Sequence, residues 1–261
     1  AQSIGLSRID AQVLLLHVLG QTTHARAWLL THDQDALTDA QTTAYEHAVR
    51  RRLRHEPVAY ITGEKEFFGL RLQVDARVLD PRPDTETLVE WALACMPSDR
   101  AMRVLDLGTG SGAIALALQS ARVNAEVWAV DAHADALAVA QTNAQALRLP
   151  VHFVQSHWFS HVQGRFDVIV SNPPYIAAAD PHLTTLSQEP LHALVAGADG
   201  LDDLRHIVQN APHHLAPQGW LLLEHGHDQA DAVCDLLTHA GFVKVQSRTD
   251  LAGIRRCSGG R

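Results

Sequence analysis

The segment Val104-Leu105-Asp106-Leu107-Gly108-Thr109-Gly110-Ser111-Gly112, running into an alanine-rich stretch from Ala113, constrains this chain more than any other. An apolar run ends in a glycine-rich turn that opens a helix. Glycines permit a tight turn and let a ligand lie directly on the backbone, where N–H groups and the helix N-terminus meet it. A glycine loop alone also fits an ordinary strand–turn–helix. The context narrows the choice: a second strand, Val127-Trp128-Ala129-Val130, ends in Asp131. A carboxylate about twenty residues beyond the loop is placed to accept from both hydroxyls of a ribose. The loop reads G-x-G-x-G and lacks the glycine that the dinucleotide fingerprint expects. A nucleoside ligand without a pyrophosphate, such as S-adenosylmethionine (SAM), is therefore favoured over NAD.

The surrounding chain alternates strand and helix signals. Strands are predicted at 103–107, 126–130, 151–154, 166–171, 219–224 and 242–247, and helices at 112–120, 134–147, 201–215 and 228–240. Short buried runs such as Val168-Ile169-Val170, alternating with longer helices, imply a mostly parallel sheet covered on both faces. This is an α/β doubly wound domain. Ahead of it, residues 1–56 read as helices. Leu6, Ile9, Val13, Leu16 and His17 recur at 3–4 spacing, with Gly20 as a stop. A second helical stretch is predicted from Ala25 to Leu30. A third opens at Thr38 with Gln41 three residues on, as in a capping box, and turns Ala44, Val49 and Leu53 inward. It ends in Arg50, Arg51, Arg52 and Arg54, which suit the helix C-terminus as a solvated face or serve as a docking patch for an acidic partner. Residues 57–79 read as a hairpin linker, two short strands around Phe67-Phe68-Gly69-Leu70 and Arg71-Leu72-Gln73-Val74. Pro81-Arg82-Pro83 then precedes a helix from Glu86 to Met96. At 261 residues, 46% of them apolar, the chain suits one large domain or two modest ones with a sizeable core.

A second motif, Asn172-Pro173-Pro174-Tyr175, follows the strand 166–171 directly, where open α/β sheets bind ligands. Consecutive prolines fix φ and withhold N–H donors, so their carbonyls stand out as rigid acceptors. The Asn172 side-chain oxygen and the Pro173 carbonyl together suit both hydrogens of a planar NH2 group. Tyr175 offers a ring face to stack on that group or lie near a sulfonium. The alternative is a merely rigid turn.

Composition excludes several classes. The net charge of −8 gives little of the counterion release that drives non-specific nucleic-acid binding. Cys95, Cys234 and Cys257 form neither a disulfide framework nor a zinc pattern, which fits a reducing, cytoplasmic setting. The apolar run Val13-Leu14-Leu15-Leu16 is too short for a membrane span and wrongly flanked for a signal peptide. Among 17 histidines, His157 with His161 and His225 with His227 are closely spaced. Neither pair brings a third ligand, so solvent-facing or core-satisfied histidines are the better reading and no metal is expected.

Asn-Pro-Pro-Tyr resembles the motif of amino-methyltransferases acting on planar nitrogens. Within that group the chain is similar nearly end to end to the HemK/PrmC family, the peptide chain release factor glutamine N5-methyltransferases. The similarity runs through Glu56 to Gly63, Glu66 to Leu70, Pro81-Arg82-Pro83-Asp84-Thr85-Glu86, Asp106 to Ile114, Ser171 to Ile176, Leu222 to Gly226 and Asp250 to Gly253. The resemblance implies a Rossmann-like SAM-dependent methyltransferase domain with a mostly parallel seven-stranded sheet. It divides the chain into a helical substrate-docking domain (1–56), a β-hairpin linker (57–79) and the methyltransferase domain (80–261). It places SAM across Gly108, Thr109, Gly110, Ser111 and Gly112, with Asp131 on the ribose, Trp158 beside the adenine and Asn172 at the methyl end. Asn172, Pro173, Pro174 and Tyr175 would then hold the glutamine of a release factor's Gly-Gly-Gln motif, with Asn172, Pro173 and Tyr175 carrying the catalysis and S-adenosylhomocysteine leaving as product. The implied partners are class 1 release factors, with no stable nucleic acid, no membrane and a monomeric chain. Two departures stand out: His157 replaces the family's aspartate, and Ser187-Gln188-Glu189-Pro190 replaces Arg-Phe-Glu-Pro in a shortened loop. The chain also starts within the family's first or second helix, so part of the N-terminus is expected to be missing. A DNA adenine-N6 or RNA guanine-N2 methyltransferase would share the Asn-Pro-Pro-Tyr chemistry but calls for a basic face. A non-enzymatic nucleoside-binding protein would share only the fold.

Overall fold

The computed structural model describes residues 5–22 and 25–261. The chain opens with helices α1 (Arg8–Val18), α2 (Trp28–Thr31), α3 (Asp39–Leu53) and α4 (Val58–Thr62), followed by the hairpin strands β1 (Glu64–Phe67) and β2 (Leu70–Gln73). Then come α5 (Glu86–Cys95), β3 (Arg103–Leu107), α6 (Ala113–Ala121), β4 (Glu126–Asp131), α7 (Ala134–Leu147), β5 (Val151–Gln155) and β6 (Phe166–Ser171). The chain closes with α8 (Asp202–His214), β7 (Leu215–Glu224), α9 (Ala230–His239), β8 (Gln246–Thr249) and β9 (Arg255–Gly260).

Seven strands form one sheet in the order β5-β4-β3-β6-β7-β9-β8. β5 to β7 run parallel, whereas β9 pairs antiparallel with both β7 and β8. The reversal of strand order between β3 and β6 leaves a crevice at their carboxyl ends. Strand residues alternate between two cores. Val104, Val168, Val170 and Leu222 pack against Leu88, Trp91, Leu116 and Leu118. Leu105, Ile169, Leu221 and Leu223 pack on the other face against Leu204, Ile207, Val233 and Leu237. A strand buried on both faces needs apolar residues at every position, which is why these runs lack polar alternation.

The N-terminal helices share a small core of Leu6, Ala11, Leu14, Ala48, Val49 and Ile61. The capping box is formed: Thr38 Oγ1 accepts from Gln41 N at 3.2 Å, and Gln41 Oε1 accepts from Thr38 N at 2.9 Å. The inward stripe of α3 differs from the expected one. Tyr45, Ala48 and Val49 face the core, whereas Ala44 and Leu53 are exposed, as is Ile9 on α1. One residue is a 100° step around a helix, so a small offset in the assumed register moves a side chain from core to water. The expected second helix shortens to one turn, and part of the stretch before it (23–24) lies outside the described residues. The arginine run is tied within the fold. Arg50 pairs with Glu46, Arg51 with Glu56, and Arg52 Nε with Asp10 at 2.9 Å. Residues 58–62, within the stretch read as a hairpin, are helical and contribute Ile61 to the small core.

The expected strand 242–247 lies later, at Gln246–Thr249, because Gly241 at φ +88° ends α9 and Phe242 packs into the core beneath it. β9 gave no apolar signal. Its Cys257-Ser258-Gly259-Gly260 run is wholly buried between β7 and β8. A Cβ at Gly259 would lie 2.5 Å from the Leu221 carbonyl oxygen and 3.2 Å from the Trp91 ring. The neighbours supply the bulk there, so the strand itself is small.

Candidate active site

The carboxyl ends of β3, β4 and β6 and the start of α8 enclose a cavity of about 350 Å³. Its wall carries Gly108, Thr109, Gly110, Ser111, Asp131, Trp158, Asn172 and Pro174 of the sequence-derived set. Gly112, Pro173 and Tyr175 do not line it. Gly112 instead stands at the N-terminus of α6, where φ is +84° and a Cβ would meet Leu116 at 3.0 Å and Ala140 at 3.2 Å. Only glycine combines that backbone with such close helix packing. A Cβ at Gly110, by contrast, would meet nothing within 4 Å.

Asp131 shapes the loop as well as facing the cavity. Its Oδ2 accepts from Gly110 N at 3.0 Å and its Oδ1 from His133 N at 2.9 Å. Each carboxylate oxygen keeps a further lone pair for a ligand. Below the loop, Asp106 is completely enclosed. Its Oδ2 accepts from the Thr109 hydroxyl at 2.6 Å and from Ala115 N at 3.2 Å, and its Oδ1 has no partner. Burial, with the nearby charge of Asp131, pushes the Asp106 carboxyl up to about 7. Asn143, on α7, ties three segments together. Its Nδ2 donates to Ser111 O at 2.9 Å and to Gln73 O at 3.0 Å, and its Oδ1 accepts from Gln73 N at 2.7 Å. The linker hairpin is thereby fastened to the glycine loop.

At the β5 end, Trp158 sits at φ +49° with its ring 3.3 Å from where a Gly108 Cβ would be. Its indole Nε1 donates to Asp203 Oδ1 at 3.2 Å. Burial raises the Asp203 carboxyl above its ordinary range. His157 lies edge-on to Trp158 and to His206. His133 and His192 stack with ring centroids 3.6 Å apart on the cavity wall, and burial with His133 beside it lowers the pKa of His192.

At the β6 end, Ser171 Oγ donates to Leu107 O at 2.7 Å, joining the two strand ends. Asn172 Nδ2 donates to Thr85 Oγ1 at 3.2 Å. The Tyr175 hydroxyl turns away from the cavity to donate to Glu224 Oε1 at 3.2 Å, and burial pushes its pKa up. The Pro81-Arg82-Pro83 element is fixed by charge. Arg82 pairs with Asp80 and the buried Glu189, Asp80 N donates to Glu189 Oε2 at 3.3 Å, and Lys65 pairs with Asp80 at 2.9 Å. Glu189 therefore clamps the loop between Tyr175 and α8 to the Asp80–Arg82 segment ahead of α5. That loop carries His192 and Val195, which line the cavity.

Among the described residues, no three His, Cys, Asp or Glu side chains gather as a metal site. His161 Nδ1 lies 2.9 Å from Gln155 O, and buried His225 lies 2.8 Å from Ser258 Oγ and 2.9 Å from Gly226 O. Sequence reasoning did not single out Asp106, Asn143, Glu189, Asp203 or Glu224 for roles at the site. Each is a polar residue in a helix, strand or loop whose partner only the folded packing shows. The Asp106 position, two residues before the first glycine of the loop, was the most readable of them.

A backbone cradle at a helix N-terminus, a preset carboxylate one strand away and an indole at the far end together fit an adenosyl ligand in a cavity of suitable size. Fold and site thus define a Rossmann-like SAM-dependent methyltransferase. Two family models match, Methyltransferase small domain over residues 85–198 and PrmC N-terminal domain over residues 1–63. A release factor glutamine methyltransferase of Bordetella pertussis (strain Tohama I) is 49% identical over 260 residues, covering 98% of this chain and 95% of the relative. Its Escherichia coli (strain K12) counterpart is 45% identical over 258 residues, covering 97% and 92%. The chain belongs to the release factor glutamine methyltransferase family. Among solved structures, a Pyrococcus furiosus methyltransferase matches with TM-score 0.59 at 20% identity, covering 82% of this chain and 96% of its own. A Thermus thermophilus 16S rRNA N2 G1207 methyltransferase in complex with AdoMet and guanosine matches with TM-score 0.56 at 21% identity, covering 76% and 49%. These two share the fold.

Proposed function

We propose that this chain transfers the methyl group of SAM to the side-chain amide nitrogen (N5) of the glutamine in the Gly-Gly-Gln motif of class 1 peptide chain release factors, releasing S-adenosylhomocysteine. One observation carries the reading: the Asn172 side chain and Pro174 face the same cavity as the glycine loop and Asp131, so an amide and an adenosyl group fit one enclosure. The full-length similarity to relatives named for this activity supports the protein substrate over DNA or RNA.

SAM supplies an activated methyl on a sulfonium. Gly108 to Ser111 hold the cofactor along the loop, Asp131 takes the ribose hydroxyls and Trp158 lies beside the adenine. A glutamine amide nitrogen is a poor nucleophile because its lone pair is delocalised into the carbonyl. Asn172 Oδ1, at the cavity wall, accepts one of its hydrogens; the Pro173 carbonyl, next in the chain but off that wall, is the acceptor proposed for the other, and the pair favours a pyramidal nitrogen with its lone pair free. The same oxygens meet the positive charge that develops there, and the methylated nitrogen then releases one of its hydrogens as a proton to water, so positioning and electrostatics carry the catalysis. Tyr175 supports this pocket through its bond to Glu224. The N-terminal helices (1–56) dock the release factor, the linker (57–79) joins them to the catalytic domain (80–261), and the enzyme works as a cytoplasmic monomer. Among the described residues, no helix is long and apolar enough to cross a membrane.

Incubation with methyl-labelled SAM and, in parallel, a purified release factor and duplex DNA tests the reading. A single added methyl on the glutamine of Gly-Gly-Gln, mapped by mass spectrometry, is expected. Label in DNA alone would overturn it.

A further inference from the structure

The carboxylate that ends β7 touches the chemistry above only through Tyr175, yet it is one of the most deeply enclosed acids in the molecule. Glu224 Oε1 accepts from the Tyr175 hydroxyl at 3.2 Å, and its Oε2 has no hydrogen bond of good geometry. The buried Thr85 hydroxyl lies against the same carboxyl and favours its charged form. Thr85 Oγ1 in turn accepts from Asn172 Nδ2 at 3.2 Å. Asn172, Thr85 and Glu224, from three separate segments, thus lie in line from the cavity wall to an enclosed acid, hydrogen-bonded at the Asn172–Thr85 step and close but without a hydrogen bond of good geometry at the Thr85–Glu224 step.

We propose that ionised Glu224 is a positioning residue that sets the direction of the chain Asn172–Thr85–Glu224, so that Asn172 presents its amide oxygen, and not its NH2, to the incoming glutamine amide. A primary amide turned by 180° keeps its shape, so hydrogen bonds alone decide which atom faces the substrate. A carboxylate only accepts, and a threonine hydroxyl has one hydrogen to give. When Thr85 donates to Glu224, its oxygen has to accept from the Asn172 NH2, which leaves Asn172 Oδ1 for the substrate. Protonated Glu224 can donate instead, and the chain can then reverse. Thr85 would give its hydrogen to Asn172 Oδ1 and the Asn172 NH2 would meet the NH2 of the substrate, donor against donor.

The groups facing Glu224 come from several elements: Tyr175 from the loop after β6, Thr85 and Asp84 before α5, and Arg256 and Cys257 from β9. His225, next in the chain, is engaged with Ser258 and Gly226 O. Burial pushes the Glu224 carboxyl up to about 7, with the charge of Asp84 adding to it, against the opposing pull of Thr85, Tyr175 and Arg256. The direction of the chain is therefore expected to change as pH crosses neutrality.

The inference rests on Asn172 as the acceptor for the glutamine amide, so one arm of its test needs no substrate. The side-chain NH2 resonances of Asn172, assigned by their loss in Asn172→Ala, are followed in the full chain bound to S-adenosylhomocysteine from about pH 5.5 to about 8.5, across the buried acid's titration. The kcat/KM for release-factor methylation is measured over the same range. The resonances and kcat/KM are expected to titrate together, activity falling on the acid side. In Glu224→Gln and in Thr85→Val that titration is expected to vanish. In both, kcat/KM is expected to drop about 10- to 100-fold while the Kd for S-adenosylhomocysteine stays within about twofold, and Thr85→Ser recovers part of the loss. Should Glu224→Gln fail to fold, Thr85→Val alone decides. Resonances that ignore both pH and Thr85→Val would overturn the proposal. A wild type that shows the Asn172 titration but methylates no release factor would sustain this inference and refute the proposed substrate.

Discussion

Asn172 and Asp131 divide the cavity between them, and each side chain is held by a different kind of bond. Asn172 is held by a side-chain hydroxyl, that of Thr85, whereas Asp131 is held by two backbone N–H groups of the turns it joins. Their variants should therefore fail differently. Asn172→Ala removes the acceptor proposed for the reacting amide and touches nothing in the glycine loop. Its kcat is expected to fall at least about 100-fold while SAM binding by calorimetry changes little, because a lost orienting contact acts on the reacting nitrogen alone. Wild-type rates in that variant would remove Asn172 from the mechanism. Asp131→Ala takes away the acceptors proposed for the ribose and, with them, the anchor of Gly110 and His133. Its Kd for SAM is expected to weaken about 10- to 100-fold, the range for losing charge-assisted hydrogen bonds. An unchanged Kd would mean that the ribose is held elsewhere.

At the scale of elements, β9 completes the sheet between β7 and β8, and the loop carrying Glu189 brings His192 and Val195 to the cavity wall. β9 fits between β7 and β8 because Gly259 has no side chain. Gly259→Ala is expected to lower stability in urea unfolding by at least about 1–3 kcal/mol, since the added carbon would press on the Leu221 carbonyl in a central strand. The capping box at the start of α3 works at the surface, so Thr38→Ala is expected to lose only about 1 kcal/mol in the same measurement. A loss equal to that of Gly259→Ala would show that the cap supports more than one helix. These cases also show what the sequence could reveal. β3, β4, β6 and α7 were legible because both core faces or a helical stripe demand apolar side chains at fixed intervals, and the glycine loop because its backbone excludes other residues. The capping box was legible because its two partners lie three residues apart. β9 was not, because its burial is met by the side chains of its neighbours, Trp91 and Phe242, rather than its own. Glu189 was noticed only because the two residues before it depart from a family pattern. Its pairing with Arg82 spans more than a hundred residues, and no local spacing encodes that contact.

For the whole molecule, burial of acids beneath the site gives stability an unusual dependence on pH. Asp106 sits under the glycine loop and Glu224 under the Asn172 end, and burial pushes both carboxyls up to about 7. Between the unfolded value near 4 and the folded value, the folded chain holds protons that the unfolded chain has lost. The stability tied to these protons is fully present below about pH 4 and is lost as pH rises through about 7. Other groups act in the opposite sense. Burial lowers the pKa of His192, His214 and His225, so their contribution to stability is present above the ordinary histidine range and is lost as pH falls. The raw pH profile of the wild type mixes both. The difference between wild type and Asp106→Asn separates them, because the amide keeps the shape of the acid and cannot ionise, while the histidines are common to both chains. In urea unfolding of the ligand-free chains, the stability of the wild type relative to Asp106→Asn is expected to fall steadily from about pH 4.5 to about pH 7.5. A difference that is flat, or that rises with pH, would mean that Asp106 is ionised in the folded chain throughout. The charge beneath the glycine loop would then have to be balanced by the turn's own N–H groups rather than removed by a proton.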